Sequence, residues 1–297
     1  MPFLLIILSL LLAQGPPADP SRELRLRLLD EINRDRGAAG LQPVEYSEEL
    51  ASAAAAHCSE MLREGYASHW NRAGWKPYMR YAVAGIRSFT SENIWSLWTT
   101  NLNSTPASLW NEILDGHRSF MAERPPNDGH RQSILNPRQT HVGIGLAFDV
   151  RGIRLVELFG AGYAELQPLP SRATLQDKLR IEGQITNRNF KLSGVGVYYE
   201  PLPQPMFRQD LRETGSYGLP EEHEMERVRL SEGRYIDGSQ GSIQLEDAGR
   251  FSLPLRFWKK LPGVYTIVVW VHESGSNKAF LGAMTSVFVE ENKKDSR

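Results

Sequence analysis

The sequence predicts an α+β protein in two parts: an N-terminal α/β/α sandwich followed by an all-β, immunoglobulin-like sandwich. Three observations carry this reading. A chain of 297 residues with 41% hydrophobic content allows about two domains of roughly 150 residues, each with an ordinary core. Up to about residue 165, segments with apolar residues at every third or fourth position surround a few strand-like runs, which implies helices layered on a sheet. Beyond the Pro-bearing stretch AELQPLPSRAT (164–174) the chain changes to short runs rich in β-branched and aromatic residues, separated by Gly, Asn, Asp and Pro. The expected organisation is a signal segment over 1–15, the layered domain over 20–165, a linker over 166–173 and the β-sandwich over 174–292.

Phe3 to Leu12 is an apolar block that ends in Ala13-Gln14-Gly15. It is too short to span a bilayer, which takes about 20 residues, and reads as a secretory signal. Its charged lead is weak, since no Lys or Arg precedes it, and a membrane-retained N-terminal anchor is the alternative. No Cys closes the block, which argues against a lipoprotein anchor. The expected location is extracytoplasmic: secreted, periplasmic or in the cell envelope, with no transmembrane span in the mature chain.

Asp19-Pro20 then opens a helix in which Leu24, Leu28 and Ile32 recur every fourth residue and which Gly37 and Gly40 end. Ser47 is the N-cap of a second helix running to Gly65, with Leu50, Ala54, His57 and Met61 on its inner face. His57 therefore reads as a hydrogen-bonded core histidine, and the alanines of this helix let another element approach closely. Cys58, the only cysteine, lies in the same run as a small buried residue and leaves no internal disulfide and no Cys-based metal site. A loop holding His69 follows, then a short helix that Pro77 begins, then SFTSENIWSLW, which places Glu92 just ahead of an aromatic patch. Trp110 to Glu123 reads as a helix with Ile113, Leu114, Phe120 and Met121 on its apolar side, stopped by Pro125-Pro126. Asn127-Asp128-Gly129 is the turn that presents His130. HVGIGLAF alternates, Val142, Ile144 and Leu146 against His141, Gly143 and Gly145, and glycines on one face predict close approach by another element or a ligand. IRLVELFGAGY is a second strand, and the histidines are expected on loops at one edge of the layers.

In the second half KLRIEGQI, GVGVYYE, GSIQLE, GRFSLPLR, GVYTIVVWVHE and AFLGAMTSVFVEE supply the strands of the sandwich. Residues 201–227 form a long, polar, Pro-flanked insertion, expected as a mobile loop. His223 and His272 read as surface residues.

With 34 basic and 35 acidic residues, nothing favours nucleic acid or a charged membrane surface as partner. No GxSxG, HExxH, P-loop or strand-borne GxGxxG is present. What remains is a His/Glu set: His69, Glu92, Glu112, His117, Glu123, His130 and His141. Two imidazoles and two carboxylates facing one another suit a divalent ion such as Zn²⁺. The same groups suit general acid–base work on a bound water, and equally suit helix-surface charges and cap partners.

AHCSEM, SHW, SENI and GHRQSILNPRQTHVGIGLA, in that order and spacing, resemble the bacterial branch of the CAP superfamily. That superfamily, also called the SCP domain, groups cysteine-rich secretory, antigen 5 and pathogenesis-related proteins. LLDEINRDRGAAGLQPVEYSEELASAAAAHC is similar to its first two helices, so the resemblance covers about residues 22–165. It implies an α/β/α sandwich with a cleft holding two His and two Glu. SHW supplies His69, SENI supplies Glu92 and GHR supplies His130. The second Glu comes from a W-x-x-E helix, met here by Phe120-Met121-Ala122-Glu123 with Phe in place of Trp. Glu112, in Trp110-Asn111-Glu112, is the rival and is one residue short. The metal set implied is His69, Glu92, Glu123 and His130, the glutamates serving as ligands or as orienters of the imidazoles. Zn²⁺ or another divalent cation is the one cofactor implied, with no organic cofactor and no assigned catalytic residue. The family also implies a lipid or other apolar ligand and protein partners. A binding module is the preferred reading; a hydrolase drawing on Ser68 or Ser133, or a structural envelope protein with a vestigial cleft, are the alternatives. The family's disulfides and Cys-rich tail are missing, and GHRQS stands where eukaryotic members have a GHYTQ-type motif, so eukaryotic roles do not carry over.

Overall fold

The computed structural model describes residues 20–291, so the expected signal segment lies outside the described residues. Helix α1 (Pro20–Ala38) leads through β1 (Glu45–Tyr46) to α2 (Glu48–Glu64). The Ser47 hydroxyl accepts the Leu50 N–H at the start of α2, and Gly65 ends it at φ 72°, a left-handed conformation that suits glycine. There follow α3 (Pro77–Val83), strand β2 (Phe89–Trp98), α4 (Pro106–Ala122), α5 (Gly129–Ile134), β3 (His141–Asp149) and β4 (Gly152–Ala161). α4 begins earlier than its apolar spacing predicts, because the Thr105 hydroxyl caps the Ser108 N–H and Pro106 fits the first turn.

The four strands form one sheet in the order β1-β3-β4-β2. On one face Leu24, Leu28 and Ile32 of α1 and Leu109, Ile113 and Phe120 of α4 pack against Val142, Ile144 and Leu146. On the other face α2 brings Leu50, Ala54, Cys58 and Met61 against Val156 and Leu158. The close approach predicted at the glycines is made by α2: a Cβ on Gly143 would lie 2.1 Å from the Ala51 nitrogen, and one on Gly145 2.4 Å from the Ala54 carbonyl carbon.

The second half holds β5 (Ala164–Leu166), β6 (Arg172–Thr174), β7 (Arg180–Ile185), β8 (Phe190–Glu200), α6 (Arg208–Glu213), β9 (His223–Glu226), β10 (Gln244–Leu245), β11 (Arg250–Pro254), β12 (Gly263–Glu273) and β13 (Phe280–Glu290). They build a four-stranded sheet, β10-β11-β7-β5, and a five-stranded sheet, β6-β13-β12-β8-β9. Ile181, Ile185, Phe251 and Leu253 of the first share one buried cluster with Val195, Val197, Ile267 and Val269 of the second, so the sheets pack face to face.

Two stretches differ from their sequence reading. The polar stretch 164–174 is drawn into both sheets: β5 buries Leu166 against β7, and β6 runs parallel to β13. The 201–227 insertion, expected as a mobile loop, is docked. Its helix α6 buries Leu211 in the cluster of Leu50, Cys58 and Met61, and β9 pairs with β8. The physical reason is that Met206, Leu211, Tyr217 and Leu219 of the insertion find cover against other parts of the molecule, while Phe207 and Met225 stay exposed. Between the halves, Tyr78 and Met79 of α3 lie in one buried cluster with Tyr198, Val264, Val268, Met284 and Phe288. Among the described residues, no helix is long and apolar enough to cross a membrane.

Candidate binding cleft

A cleft of about 730 Å³ opens along β2. His69 and Glu92 line it, as do Glu123 and His130, and its far wall comes from the second half of the chain through Tyr217, Leu219, Leu281 and Met284.

His69 lies on the loop after α2, and neighbouring side chains pin that loop by its carbonyls. Nε2–H of His57 donates to the Ser68 carbonyl at 2.9 Å, and Arg80 Nη2 donates to the His69 carbonyl at 3.1 Å. Burial, with the Arg80 charge adding to it, pushes the His57 imidazole down to about 3, so it stays neutral as a core histidine. The His69 ring is held at Nδ1 by Glu92 Oε1, 2.8 Å away. Glu92 is fully buried and also accepts from Arg80 Nη2 at 3.0 and 2.8 Å and from the Tyr81 hydroxyl. Burial alone would raise its pKa, but the Arg80 charge and the His69 hydrogen bond hold this carboxyl well below the usual carboxylate range.

The second pair is built where α4 ends and α5 begins. Glu123 caps α4 and accepts from His130 Nδ1 at 2.5 Å, from the His130 N–H at 3.0 Å and from the Arg131 N–H at 3.3 Å. The Phe120 ring lies 4.6 Å from the His130 ring, so the aromatic that replaces Trp in the F-x-x-E turn backs the imidazole. A carboxylate only accepts, so in both pairs Nδ1 carries a proton, and the neutral tautomer that fits has its lone pair on Nε2.

Other members of the sequence set lie elsewhere. Glu112 is half-buried on α4 and does not line the cleft. His117 is buried behind it, Nδ1 to Glu157 Oε1 at 2.7 Å and Nε2 to Asp35 Oδ2 at 3.0 Å. Burial lowers its pKa, but the Glu157 charge, with hydrogen bonds to Glu157 and Asp35, outweighs burial and raises it. His141 begins β3, between β1 and β4, with its ring 3.7 Å from Glu45, and does not line the cleft. The Ser68 and Ser133 hydroxyls find partners other than the imidazoles. The Thr214 hydroxyl donates to the Leu211 carbonyl, leaving its oxygen to take the Ser68 proton at 2.6 Å, and Ser133 donates to the Gly129 carbonyl.

Three participants escaped the sequence reading. Arg80 had no motif to mark it. Asn93, beside Glu92 in SENI, donates Nδ2 to the His130 carbonyl at 3.1 Å and to Glu157 at 3.3 Å, while its Oδ1 is buried without a partner. Tyr217, from the insertion, accepts the Glu92 N–H at 3.1 Å and lays its ring 4.8 Å from that of His69. Glu157 did carry a signal: a carboxylate inside the otherwise largely apolar run IRLVELFG demands a partner.

Residues 29–158 match the family model for CAP, described as the cysteine-rich secretory protein family. Residues 29–158 are a CAP domain. A bacterial relative, the uncharacterized protein YkwD of Bacillus subtilis (strain 168), is 27% identical over 120 residues, 40% of this chain and 40% of its own. The chain thus spans about two fifths of the length of the curated relative it matches. Among solved structures, an extracellular protein containing a SCP domain from Bacillus anthracis str. Ames is 18% identical, covering 50% of this chain and 45% of its own at a TM-score of 0.38. An outer surface protein from Borrelia burgdorferi is also 18% identical, covering 50% of this chain and 98% of its own at a TM-score of 0.39.

The CAP domain's four cleft residues can be tested against a metal ion by their donors. Both carboxylates are committed to imidazole Nδ1–H groups, and Glu92 to Arg80 and Tyr81 as well. Among the described residues, no three His, Cys, Asp or Glu side chains gather where one ion would be held. As they stand, the four do not fit a four-ligand set. They fit two imidazole donors with the glutamates as orienters, the second of the roles the resemblance implies for Glu92 and Glu123.

Proposed function

We propose that this chain is an extracytoplasmic, non-enzymatic binding protein whose CAP cleft takes its ligand between the two His–Glu pairs, walled on the far side by an immunoglobulin-like β-sandwich. The observation that carries the reading is the pair of imidazoles tethered at Nδ1 beside one cleft, each left with an Nε2 lone pair. Two oriented acceptors, with no nucleophile bonded to either among the described residues, suit recognition better than hydrolysis. The apolar end of the cleft, with Phe89, Leu219, Leu281 and Met284, leaves room for the apolar part of a ligand. Outside the cytoplasm is the location that the apolar N-terminal block favours.

A divalent cation would be held by His69 and His130 through Nε2, and it would supply a Lewis-acid contact to a ligand's oxygen or nitrogen. Titrating Zn²⁺ into the full chain tests this. Binding is expected to weaken at least about tenfold in His69→Ala or His130→Ala, each of which removes one of two nitrogen donors. Glu123→Gln should weaken it more than Glu112→Gln, since only Glu123 sets an imidazole tautomer. Zn²⁺ affinity unchanged in both histidine variants would remove the metal from the cleft.

A further inference from the structure

β2 is the edge strand of its sheet and pairs with β4 alone. Two hydrogen bonds fix which way its backbone faces. The Thr140 N–H donates to the Gly160 carbonyl, so Gly160 and every second residue before it on β4 turn toward β3, leaving Phe159, Glu157 and Leu155 to bond β2. Their partners Ser91, Asn93 and Trp95 are thereby turned inward, and Thr90, Glu92, Ile94 and Ser96 present N–H and C=O to the open edge. The second bond agrees: the Glu92 N–H donates outward, to the Tyr217 hydroxyl. All four of these residues line the cleft.

The two His–Glu pairs flank this edge from opposite faces. His69 is bonded to the side chain of Glu92, whereas the His130 carbonyl is bonded to the side chain of Asn93, and successive side chains of a strand point to opposite faces. The edge therefore offers alternating backbone donors and acceptors along a cleft that both imidazoles line. Asn93 Oδ1, buried and unpartnered at the cleft, is a further acceptor in search of a donor. A second extended backbone carries the matching groups at the matching period.

We propose that the cleft binds an extended peptide segment, added to the β2 edge as a further strand between the two His–Glu pairs, and that Tyr217 is the residue it displaces. This rests on reading the cleft as the ligand site and names the class of its ligand. Thr90 to Ser96 spans about 20 Å at roughly 3.3 Å per residue, enough for a strand of about six residues. Peptide carbonyls take the Glu92 and Ile94 N–H groups, and peptide side chains alternate toward His69 and toward His130. Without peptide, the Tyr217 hydroxyl occupies the Glu92 rung and its ring lies against His69, so one movement frees both.

The test selects random linear peptides of about ten residues, displayed on phage, against the full chain. The best sequence is then synthesised with one backbone amide N-methylated at a time, and binding is read by fluorescence anisotropy. Affinity is expected to drop about tenfold at every second position and little between, the period of a strand bonded along one edge. Tyr217→Phe keeps the ring, removes the competing hydroxyl and should tighten binding about three- to tenfold. Ile94→Pro deletes an outward N–H that makes no bond to β4; it should weaken binding about tenfold with an unchanged far-UV circular dichroism spectrum. Selection that enriches no peptide, or N-methyl effects without a two-residue period, overturns the proposal, and an unaltered Tyr217→Phe affinity overturns the displacement. If no peptide binds while Zn²⁺ binding still depends on His69 and His130, the peptide falls and the cleft remains a binding site. If both fail, the binding reading falls with it.

Discussion

Glu92 sits out of water with Arg80, Tyr81 and His69 around it, and a carboxylate so placed acts on stability and on the site together. Removing its charge leaves the buried Arg80 guanidinium without a counter-ion, so Glu92→Gln should cost about 3–5 kcal/mol in urea unfolding. Glu123 is partly exposed and its loss is borne by one imidazole and two backbone amides; Glu123→Gln should cost only about 1 kcal/mol. Equal costs would mean that Arg80 finds other compensation. His117 brings a pH dependence whose sign follows from its two carboxylate partners. An unfolded imidazole titrates near about 6.5, and the folded His117 value lies above that. Its contribution is therefore fully present below about pH 6.5 and is lost as pH rises through the folded value. His57 acts in the opposite sense: its folded value of about 3 means that the unfolded state gains protons first as pH falls. The stability difference between the wild type and His117→Gln should shrink as pH rises above neutrality. A difference that stays constant from about pH 5 to about pH 9 would show that His117 does not change charge there.

At the scale of elements, what was legible was what is written in local chemistry. The Leu24, Leu28, Ile32 spacing, the Ser47 cap and the alternation through Val142, Ile144 and Leu146 each state a period or a cap, and α1, α2 and β3 follow them. The glycine face of β3 even announced a close neighbour, found as the alanine-rich α2. Gly143→Ala tests that contact: its Cβ would meet backbone atoms of Leu50 and Ala51 at 2.2 and 2.1 Å, so α2 must shift. A loss of about 1–3 kcal/mol or more is expected in urea unfolding. A neutral substitution would mean that α2 can retreat from the sheet without cost. β2 was not legible as a strand, because Ser91, Glu92 and Asn93 break its apolar pattern. Those residues answer to the cleft and to Arg80 rather than to a core face. The docking of the insertion was hidden for a different reason. Tyr217 lies between Gly215 and Gly218 in a polar stretch, and nothing local tells that its hydroxyl meets an amide 125 positions away. In the cleft, the family resemblance implied His69, Glu92 and His130, and through its W-x-x-E motif Glu123 over the rival Glu112; Arg80, Asn93 and Tyr217 are contacts of tertiary structure.

For the whole molecule, the two halves share a core as well as a chain, and this bears on how the protein unfolds. The sequence suggested two units joined over 166–173 that proteolysis would part into folded fragments. The packing argues otherwise. Tyr78, Met79, Tyr198, Val264, Val268, Met284 and Phe288 are all buried in one cluster between the halves. A fully buried large apolar side chain contributes about 1.5–3 kcal/mol, so this cluster is worth on the order of 10 kcal/mol, comparable with the roughly 5–15 kcal/mol that stabilises a typical domain. Directional bonds add to it: the Met284 N–H donates to the Arg87 carbonyl at 3.0 Å, Arg87 Nε donates to the Leu166 carbonyl at 2.8 Å, and Lys76 pairs with Glu200 at 2.7 Å. Leu211 of α6 completes the core beneath α2 from the other half of the chain. Cutting the chain after residue 165 would expose Tyr78 and Met79 and open a gap where Leu211 lies. The full chain is therefore expected to unfold in urea as one transition, coincident by circular dichroism and tryptophan fluorescence. Residues 20–165 produced alone should be insoluble or lack cooperative unfolding, and Leu211→Ala in the full chain should cost about 2–5 kcal/mol although it lies outside the CAP domain. Two resolved transitions, or a soluble 20–165 fragment that melts cooperatively near the full chain's midpoint, would show that the CAP domain stands alone and that the far wall of its cleft is a loosely held neighbour.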